Sequence, residues 1–509
     1  MKILDCTLRD GGYYTNWNFT DDLVVQYLKT VSKLPISMIE LGYLSDAKDL
    51  NGPFYHLNRS ILSDCRKIIN KKQKIFVMIN TKEIKDSKHL INLIKKNYKL
   101  IDGIRFAISP YEIEKFLPNI QLAKKKFKKI SFYVNLMYLN KWFDDLNFSN
   151  KILNKLKGKV DAVAIVDSYG SLFPNQIHKF VNELQKDNIK LGCHFHNNCG
   201  LALANTLAAI DAGCEIADTT FKGMGRGAGN AETEMLIATK TKIKPKISSF
   251  DINNLIEKFE QMKSKMKWGG SYAYAYAARA GYSQNEMMDL IQKRRLDPGI
   301  AVNVISASKQ NLKNIKYTNI KNLKLNKSKM STPILIGGAP SLKEFGAQLF
   351  SKINKKTPII LSGSNALFNF LSLKIKIKNE LILILSGSEI KKIKETNKKN
   401  FFKNSGINGI IIEKDFMPEK INFKPKNKII VSHSVAVNPL MLAGSVLIKS
   451  GLKKMLVAFF DGQNDNEKGR VIMKETEDCL KKVLKAGLKV ESLTKTFLPV
   501  KQINPWLYD

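Results

Sequence analysis

Ile3-Leu4-Asp5-Cys6-Thr7-Leu8-Arg9-Asp10-Gly11-Gly12 opens the chain with a short apolar strand pattern that runs into a charged, glycine-ended loop. An amphipathic helix pattern follows. Thr20 can cap it, Asp21 and Asp22 suit its positive dipole end, and Leu23, Tyr27, Leu28 and Val31 form an apolar stripe that Pro35 stops. This strand-then-helix theme recurs to residue 221. Candidate strands are Ile3–Cys6, Met38–Leu41, Ile75–Ile79, Gly103–Ala107, Ile130–Leu136, Ala162–Val166, Leu191–His196 and Ile216–Thr220. Eight such units over roughly 250 residues predict a TIM (β/α)8 barrel rather than an open sheet. Residues just past its strands face the rim where active sites sit, which makes Arg9 and Asp10 candidates.

Beyond the barrel, expected over residues 1–245, residues 246–330 read as a helical extension and linker. Trp268, Tyr272, Tyr274 and Tyr276 cluster in the extension, and Asn311–Lys329 is rich in Lys and Asn. Residues 331–509 read as a second, Rossmann-like α/β domain. Its expected strands are Ile334–Ile336, Ile359–Leu361, Leu381–Leu385, Gly409–Ile412, Ile429–Val431 and Met455–Phe459. Gly337-Gly338-Ala339-Pro340 leads from the first of these to Ser341 and Glu344, spaced as a capping box.

Composition narrows the function classes. The chain has 509 residues, 44% hydrophobic and 25% charged, which suits globular domains and excludes collagen-like repeats and wholesale disorder. Apolar runs such as Leu381–Leu385 fall far short of the roughly 20 residues of a membrane helix. Met1 leads directly into a strand pattern without a signal-peptide apolar region, so a soluble, cytoplasmic protein is expected. The net charge of +38 comes from Lys spread along the whole chain together with abundant Ile and Asn, a trio that an A/T-rich coding bias produces. No basic stretch interleaves aromatics in a nucleic-acid motif, so neither nucleic acid nor membrane is an expected partner. The six cysteines form no CxxC pair and read as reduced thiols.

The seventh strand ends in His194-Phe195-His196. Two residues apart on a strand, both imidazoles share one face, with Cys193 and Phe195 on the other. Asp10, His194 and His196 thus offer one carboxylate and two imidazoles to a divalent metal, leaving positions open for substrate oxygens. Arg9 could hold the negative charge of an enolate formed there. Two strand histidines with satisfied hydrogen bonds would give the same pattern.

Three motifs occur in order: Thr7-Leu8-Arg9-Asp10-Gly11, His194-Phe195-His196-Asn197-Asn198-Cys199-Gly200, and Gly223-Met224-Gly225-Arg226-Gly227-Ala228-Gly229-Asn230. Together they resemble the DRE-TIM metallolyases, an HMG-CoA lyase-like superfamily that includes the 4-hydroxy-2-oxovalerate aldolases and isopropylmalate synthases. The resemblance covers residues 1 to about 300. It implies that Asp10, His194 and His196 ligate Mn or Mg, that Arg9 stabilises an enolate, and that Glu40 and Asn230 lie at or near the metal. It also implies that Ser168 holds a substrate carboxylate.

One position departs from the family. The aldolases carry a histidine base three residues beyond the metal aspartate, the acyl-CoA branches a glutamine, and here that place is Tyr13. Tyr13 either takes part in proton transfer or packs at the barrel mouth. The expected activity is a metal-dependent aldolase acting on pyruvate or a related 2-oxo acid and an aldehyde, in surface-carbohydrate biosynthesis. The rivals are a Claisen synthase using acyl-CoA, and a bifunctional protein whose second domain binds a nucleotide-linked sugar. One of Tyr272, Tyr274 and Tyr276 is expected to reach the site, and a homodimer is expected. In the second domain, Gly337–Ser341 could hold a phosphate or nucleotide at a helix N-terminus, although a capped tight turn explains it equally well. His433 and Asp461 follow strands there.

Overall fold

The computed structural model describes residues 1–47, 51–184, 189–240, 249–293, 301–302, 316–320, 332–386, 389, 405–413, 429–432, 438–462 and 467–505. The chain divides into two compact units, Met1–Met288 and Asp289–Asp509. The barrel boundary expected at residue 245, His433 and most of the Asn311–Lys329 linker lie outside the described residues.

The first unit is a closed parallel barrel of eight strands in sequence order. They are β1 (Lys2–Asp5), β2 (Met38–Tyr43), β3 (Lys74–Asn80), β4 (Gly103–Ile108), β5 (Ser131–Leu136), β6 (Ala162–Asp167), β7 (Leu191–Phe195) and β8 (Ile216–Thr219). β1 pairs with both β2 and β8, which closes the ring. The helices Ser249–Met266 and Tyr272–Arg279 and the short helix Gln284–Met288 also belong to this unit.

Strand alternation divides the residues between two environments. Leu4, Met38, Phe76, Ala162 and Ile216 pack together in one small apolar cluster. Two residues further along their strands, on the same face, come Glu40, Met78, Ala164 and Asp218. Gly103 makes room for the layer, since a Cβ there would lie 2.1 Å from the Phe76 ring. Arg105, two residues on, then enters the same buried layer as Glu40 and Asp218. The barrel is therefore apolar at one level and charged at the next. The opposite strand faces, with Ile39, Ile75, Ile104, Val163 and Ile165, join the large core under the helices.

Local signals fared unevenly. Thr20 stands at the N-cap of the helix Asp21–Val31 with extended backbone, yet its side chain makes no capping hydrogen bond. Ser341 is likewise not a cap: Pro340 occupies that place, and Ser341 begins the helix Ser341–Lys352 with its Oγ buried and unpartnered.

The second unit holds one nine-stranded sheet, ordered β17-β16-β15-β10-β11-β12-β13-β14-β9. Its strands are β9 (Tyr317–Thr318), β10 (Ile334–Ile336), β11 (Ile359–Leu361), β12 (Leu381–Leu385), β13 (Gly409–Glu413), β14 (Ile429–Ser432), β15 (Lys454–Ala458), β16 (Lys489–Ser492) and β17 (Lys501–Gln502). All six expected strands are present. β9 pairs antiparallel at one edge, while β16 and β17 extend the other. Alternate residues of the central strands enter separate cores, Leu335, Ile360, Ile382 and Ile411 on one face and Ile336, Leu361, Leu383 and Ile412 on the other. A sheet covered on both faces reads as an unbroken apolar run, as Leu381–Leu385 does. Among the described residues, no helix is long and apolar enough to cross a membrane.

Candidate active site

The first motif forms a helix, Thr7–Thr15, where the sequence suggested a loop. Its glycines permit close packing. A Cβ on Gly11 would come within 2.7 Å of Met224 Sδ, and one on Gly12 within 2.1 Å of the Trp17 ring. The first turn of this helix carries Arg9 and Asp10, both buried at the end of β1.

Six side chains close into a ring of polar bonds. Arg9 Nη1 donates to Asp10 Oδ1 at 2.7 Å, and Arg9 Nε donates to Glu40 Oε1. The other Glu40 oxygen accepts from Arg105 Nη1 at 3.1 Å, and Arg105 Nη2 donates to Asp218 Oδ2. That same Asp218 oxygen accepts from His194 Nδ1 at 3.0 Å, while His194 Nε2 lies 3.4 Å from Asp10 Oδ2. Three carboxylates face two guanidinium groups, so with the His194 imidazole neutral the ring holds one negative charge in excess. All six groups are at most 5% exposed. Buried charges of this kind are tolerated only when paired and hydrogen-bonded, as these are.

The electrostatics follow from the ring. Burial alone would raise the Asp10 carboxyl, but Arg9 and the two imidazoles outweigh it and hold Asp10 far below the usual carboxylate range. Burial would lower His194, but its bonds to Asp10 and Asp218 prevail and raise it. Burial pushes His196 down to about 3, with the charges of His194 and Arg226 adding to the effect.

His196 donates from Nδ1 to the Asp167 carbonyl at 2.9 Å, so its Nε2 carries a lone pair. His194 spends Nδ1 on Asp218 and turns Nε2 towards Asp10, so it would present an Nε2 lone pair in the same way once an ion took the place of the proton there. The imidazole centroids are 5.0 Å apart. Asn230 reaches the group through a bridge between its backbone and that of His196, and its Nδ2 donates to Asp10. Its Oδ1 is buried without a partner. A carboxylate, two imidazole lone pairs and an orphaned amide oxygen form a donor set that suits a divalent Mn or Mg ion. Cys6 Sγ also lies within 4.8 Å of the donor atoms of Asp10 and His194. Burial pushes its thiol well up, and it donates to the Thr219 carbonyl at 3.4 Å, which leaves it a protonated, poor ligand. Cys193 turns away and hydrogen-bonds Cys214.

A small cleft opens onto this group. Arg9, Asp10, Tyr13, Tyr43, Asn135, His194, His196 and Arg226 provide its polar lining, with Met78, Ala107, Met137 and Val166 as apolar wall. Tyr13 therefore lies in the cleft, beside Tyr43 and edge-on to Trp17. A register shift between Glu40 and Tyr43 separates the two roles of β2, with Glu40 in the ring and Tyr43 in the cleft.

Other expected residues sit elsewhere. Both Glu40 oxygens are occupied by arginines, so it orients Arg9 rather than offering an oxygen to an ion. Ser168 is buried, accepts from the Tyr138 backbone N–H at 2.9 Å and does not line the cleft. None of the three tyrosines lines it either: Tyr272 is 71% exposed, and Tyr274 uses its backbone carbonyl to accept from Asn198. Sequence reasoning missed Arg105, Asp218, Asn135, Tyr43 and Arg226. The available signal was a charged residue inside an otherwise apolar barrel strand, Arg105 in Gly103–Ile108 and Asp218 in Ile216–Thr219.

Residues 113–258 match the family model described as HMGL-like. The solved N-terminal domain of a candidate aldolase from Bacteroides vulgatus is 33% identical, covering 57% of this chain and 96% of that one with a TM-score of 0.53. The chain belongs to the HMGL-like family. Among curated relatives, the oxaloacetate decarboxylase of Mycobacterium tuberculosis is 28% identical over 46% of this chain and 68% of its own length. The 4-hydroxy-2-oxovalerate aldolase of Geobacillus genomosp. 3 is 28% identical over 48% of this chain and 71% of its own. As an HMGL-like barrel with its charged residues in place, the protein is an enzyme of the lyase type.

Proposed function

We propose that the barrel is a divalent-metal-dependent aldolase that works through the enolate of pyruvate or a related 2-oxo acid. The observation that carries this reading is the convergence of Asp10, His194, His196 and Arg9 on one small cleft. Asp10, His194 and His196 would hold the ion, with Asn230 Oδ1 beside them. When bound, the ion supplies Lewis-acid polarisation of the 2-oxo acid's oxygens.

The chain's own residues do the rest. Arg9 is fixed at Nε and Nη1 by Glu40 and Asp10, and its Nη2 has no hydrogen-bond partner among the described residues. That free end can meet the oxyanion of the enolate with no side chain left to reorganise. Asp218 and the Asp167 carbonyl hold the two imidazoles in their tautomers. Tyr13 is the cleft hydroxyl placed to move a proton, and its partner Tyr43 remains protonated because burial and Tyr13 itself push it well up. Retro-aldol cleavage of a 4-hydroxy-2-oxo acid and decarboxylation of oxaloacetate both break the C3–C4 bond and leave the same enolate. One site can thus relate this chain to both named relatives. The acyl-CoA alternative lacks its glutamine, since Tyr13 stands there.

The test is exchange of the pyruvate methyl protons in heavy water, followed by NMR with Mg as the diamagnetic ion. Exchange that needs the metal and disappears in Asp10→Ala and Arg9→Ala is the expected result. Its absence from the metal-loaded wild-type chain would sink the reading.

For the second unit the proposal is a phosphate- or nucleotide-bearing ligand such as a nucleotide-linked sugar, in keeping with a carbohydrate-related role. Strand order reverses between β10 and β15, the position where such sheets bind ligands, and Gly337–Pro340 follows β10 there. Asp461 lies beyond β15 and is exposed. Thermal stabilisation of the full chain by UDP or CMP is the measurement, and no shift with either removes this part. Light scattering reads the proposed homodimer.

A further inference from the structure

Arg226 projects from the glycine loop into the cleft that contains Arg9, Asp10, His194 and His196. It is the one cleft guanidinium without a carboxylate: among the described residues no salt bridge reaches it. Its Nε donates to Gln284 Oε1 at 3.2 Å, and Gln284 Nε2 donates in turn to Asn198 Oδ1 at 3.0 Å. Gln284 is 3% exposed, and Gly227, at φ +62°, leaves room for it, since a Cβ there would come within 2.5 Å of its side chain. The arginine also stands over the Tyr13 ring, 5.4 Å from its centroid. It is thus held by a buttress at one nitrogen, and among the described residues neither terminal nitrogen has a hydrogen-bond partner. A fork left open in this way matches the geometry of a carboxylate or phosphate, and its preorganisation reduces the entropy lost on binding one.

The ion ligands and Arg9 already account for the 2-oxo acid end of a substrate. We propose that Arg226 binds a second anionic group, a carboxylate or phosphate on the aldehyde partner, so that the enzyme selects anionic over neutral aldehydes. This rests on the aldolase reading above and names its acceptor class. The carbon–carbon bond joins C3 of the pyruvate enolate to the aldehyde carbon. The proton lost from the methyl group is balanced by the one taken up by the new alkoxide. Gln284 is a positioning residue that keeps the fork pointed into the cleft.

The experiment measures addition of pyruvate to glyoxylate, to glycolaldehyde phosphate and to acetaldehyde, using the metal-loaded full chain, Arg226→Gln and Gln284→Leu. Pyruvate methyl exchange is followed in parallel. For the wild type, a lower KM is expected for one of the two anionic aldehydes than for acetaldehyde, and which one identifies carboxylate or phosphate. Arg226→Gln is expected to raise that KM by about 10- to 100-fold relative to the KM for acetaldehyde, the usual scale for a charge-assisted hydrogen bond. Gln284→Leu should raise the same KM by a smaller factor at unchanged kcat. Equal use of neutral and anionic aldehydes by the wild type, or an Arg226→Gln loss shared by acetaldehyde, overturns the inference while intact exchange leaves the aldolase reading standing. Absent exchange in the wild type overturns both.

Discussion

Arg105 Nη2 donates to Asp218 Oδ2 in the barrel interior, and neither residue lines the cleft although that same Asp218 oxygen orients His194. Asp218 thus acts on the site through His194, while Arg105 also reaches it through Glu40 and Asn135. Replacing Asp218 with Asn keeps an acceptor but removes the charge that strengthens His194 as a ligand. Affinity for Mn should fall about 10- to 100-fold, measurable by calorimetric titration. An unchanged Kd would remove His194 from the ligand set. Arg105→Met should instead cost about 3–5 kcal/mol of stability, because it leaves Glu40 and Asp218 buried and under-compensated.

Metal removal should be visible without any substrate. An ion that binds only the folded barrel stabilises it by about 2.7 kcal/mol at a hundred times its Kd. For a unit of this size, the Tm of the barrel transition should then rise by roughly 5–10 °C on adding Mn to chelator-treated protein. Asp10→Ala should show no rise, and an equal rise in that variant would place the ion elsewhere.

Tyr13→Phe tests the departure from the family pattern. If the hydroxyl carries the proton, pyruvate exchange should fall by about 10²- to 10⁴-fold while Mn affinity stays the same. Exchange at the parent rate would leave Tyr13 as wall, and Tyr43→Phe would be the next variant.

Glu234 gives a pH dependence remote from the ligands. Burial, with Glu232 adding, pushes its carboxyl up to about 7 although it accepts from the Lys222 backbone N–H at 3.2 Å. A raised folded-state pKa means that the protonated form is favoured in the folded chain. Its contribution is fully present below about 4.5 and is lost as pH rises towards 7. Glu234→Gln should therefore gain stability over the parent at pH 8, by about 1–3 kcal/mol, and gain little at pH 4. Equal Tm differences at both pH values would contradict the shift.

The barrel was legible because its strands are written as short β-branched runs at regular spacing, and all eight stand within a residue or two of their expected positions. Asp10, His194 and His196 were legible for a similar reason, as two sit on one strand face and the third follows β1. Arg105 and Asp218 were not, because each looks locally like a stray charge in an apolar strand and gains meaning only when β4 and β8 face each other across the interior. Ser168 and the tyrosine cluster stay outside the cleft lining for the opposite reason. Their motifs lie near the rim in sequence, but backbone groups claim Ser168, and Tyr272 points to solvent. The edge strands Lys489–Ser492 and Lys501–Gln502 escaped notice because they are short and polar. Lys489 and Lys454 both make ion pairs with Glu491, at 2.9 and 2.7 Å, charges where a period-two apolar pattern would be the signal.

Asp10 and its partner Asn230 are 220 residues apart in the chain. On the proposed ligand set, a nascent polypeptide displays its first ligand almost at once and its last only when the barrel is nearly complete. Until β7 and the glycine loop have emerged and docked, the lone carboxylate has no imidazole beside it to share a divalent ion. Loading with metal would then record that synthesis of the barrel is finished, and a chain clipped before the glycine loop would be recognised by its failure to take any up.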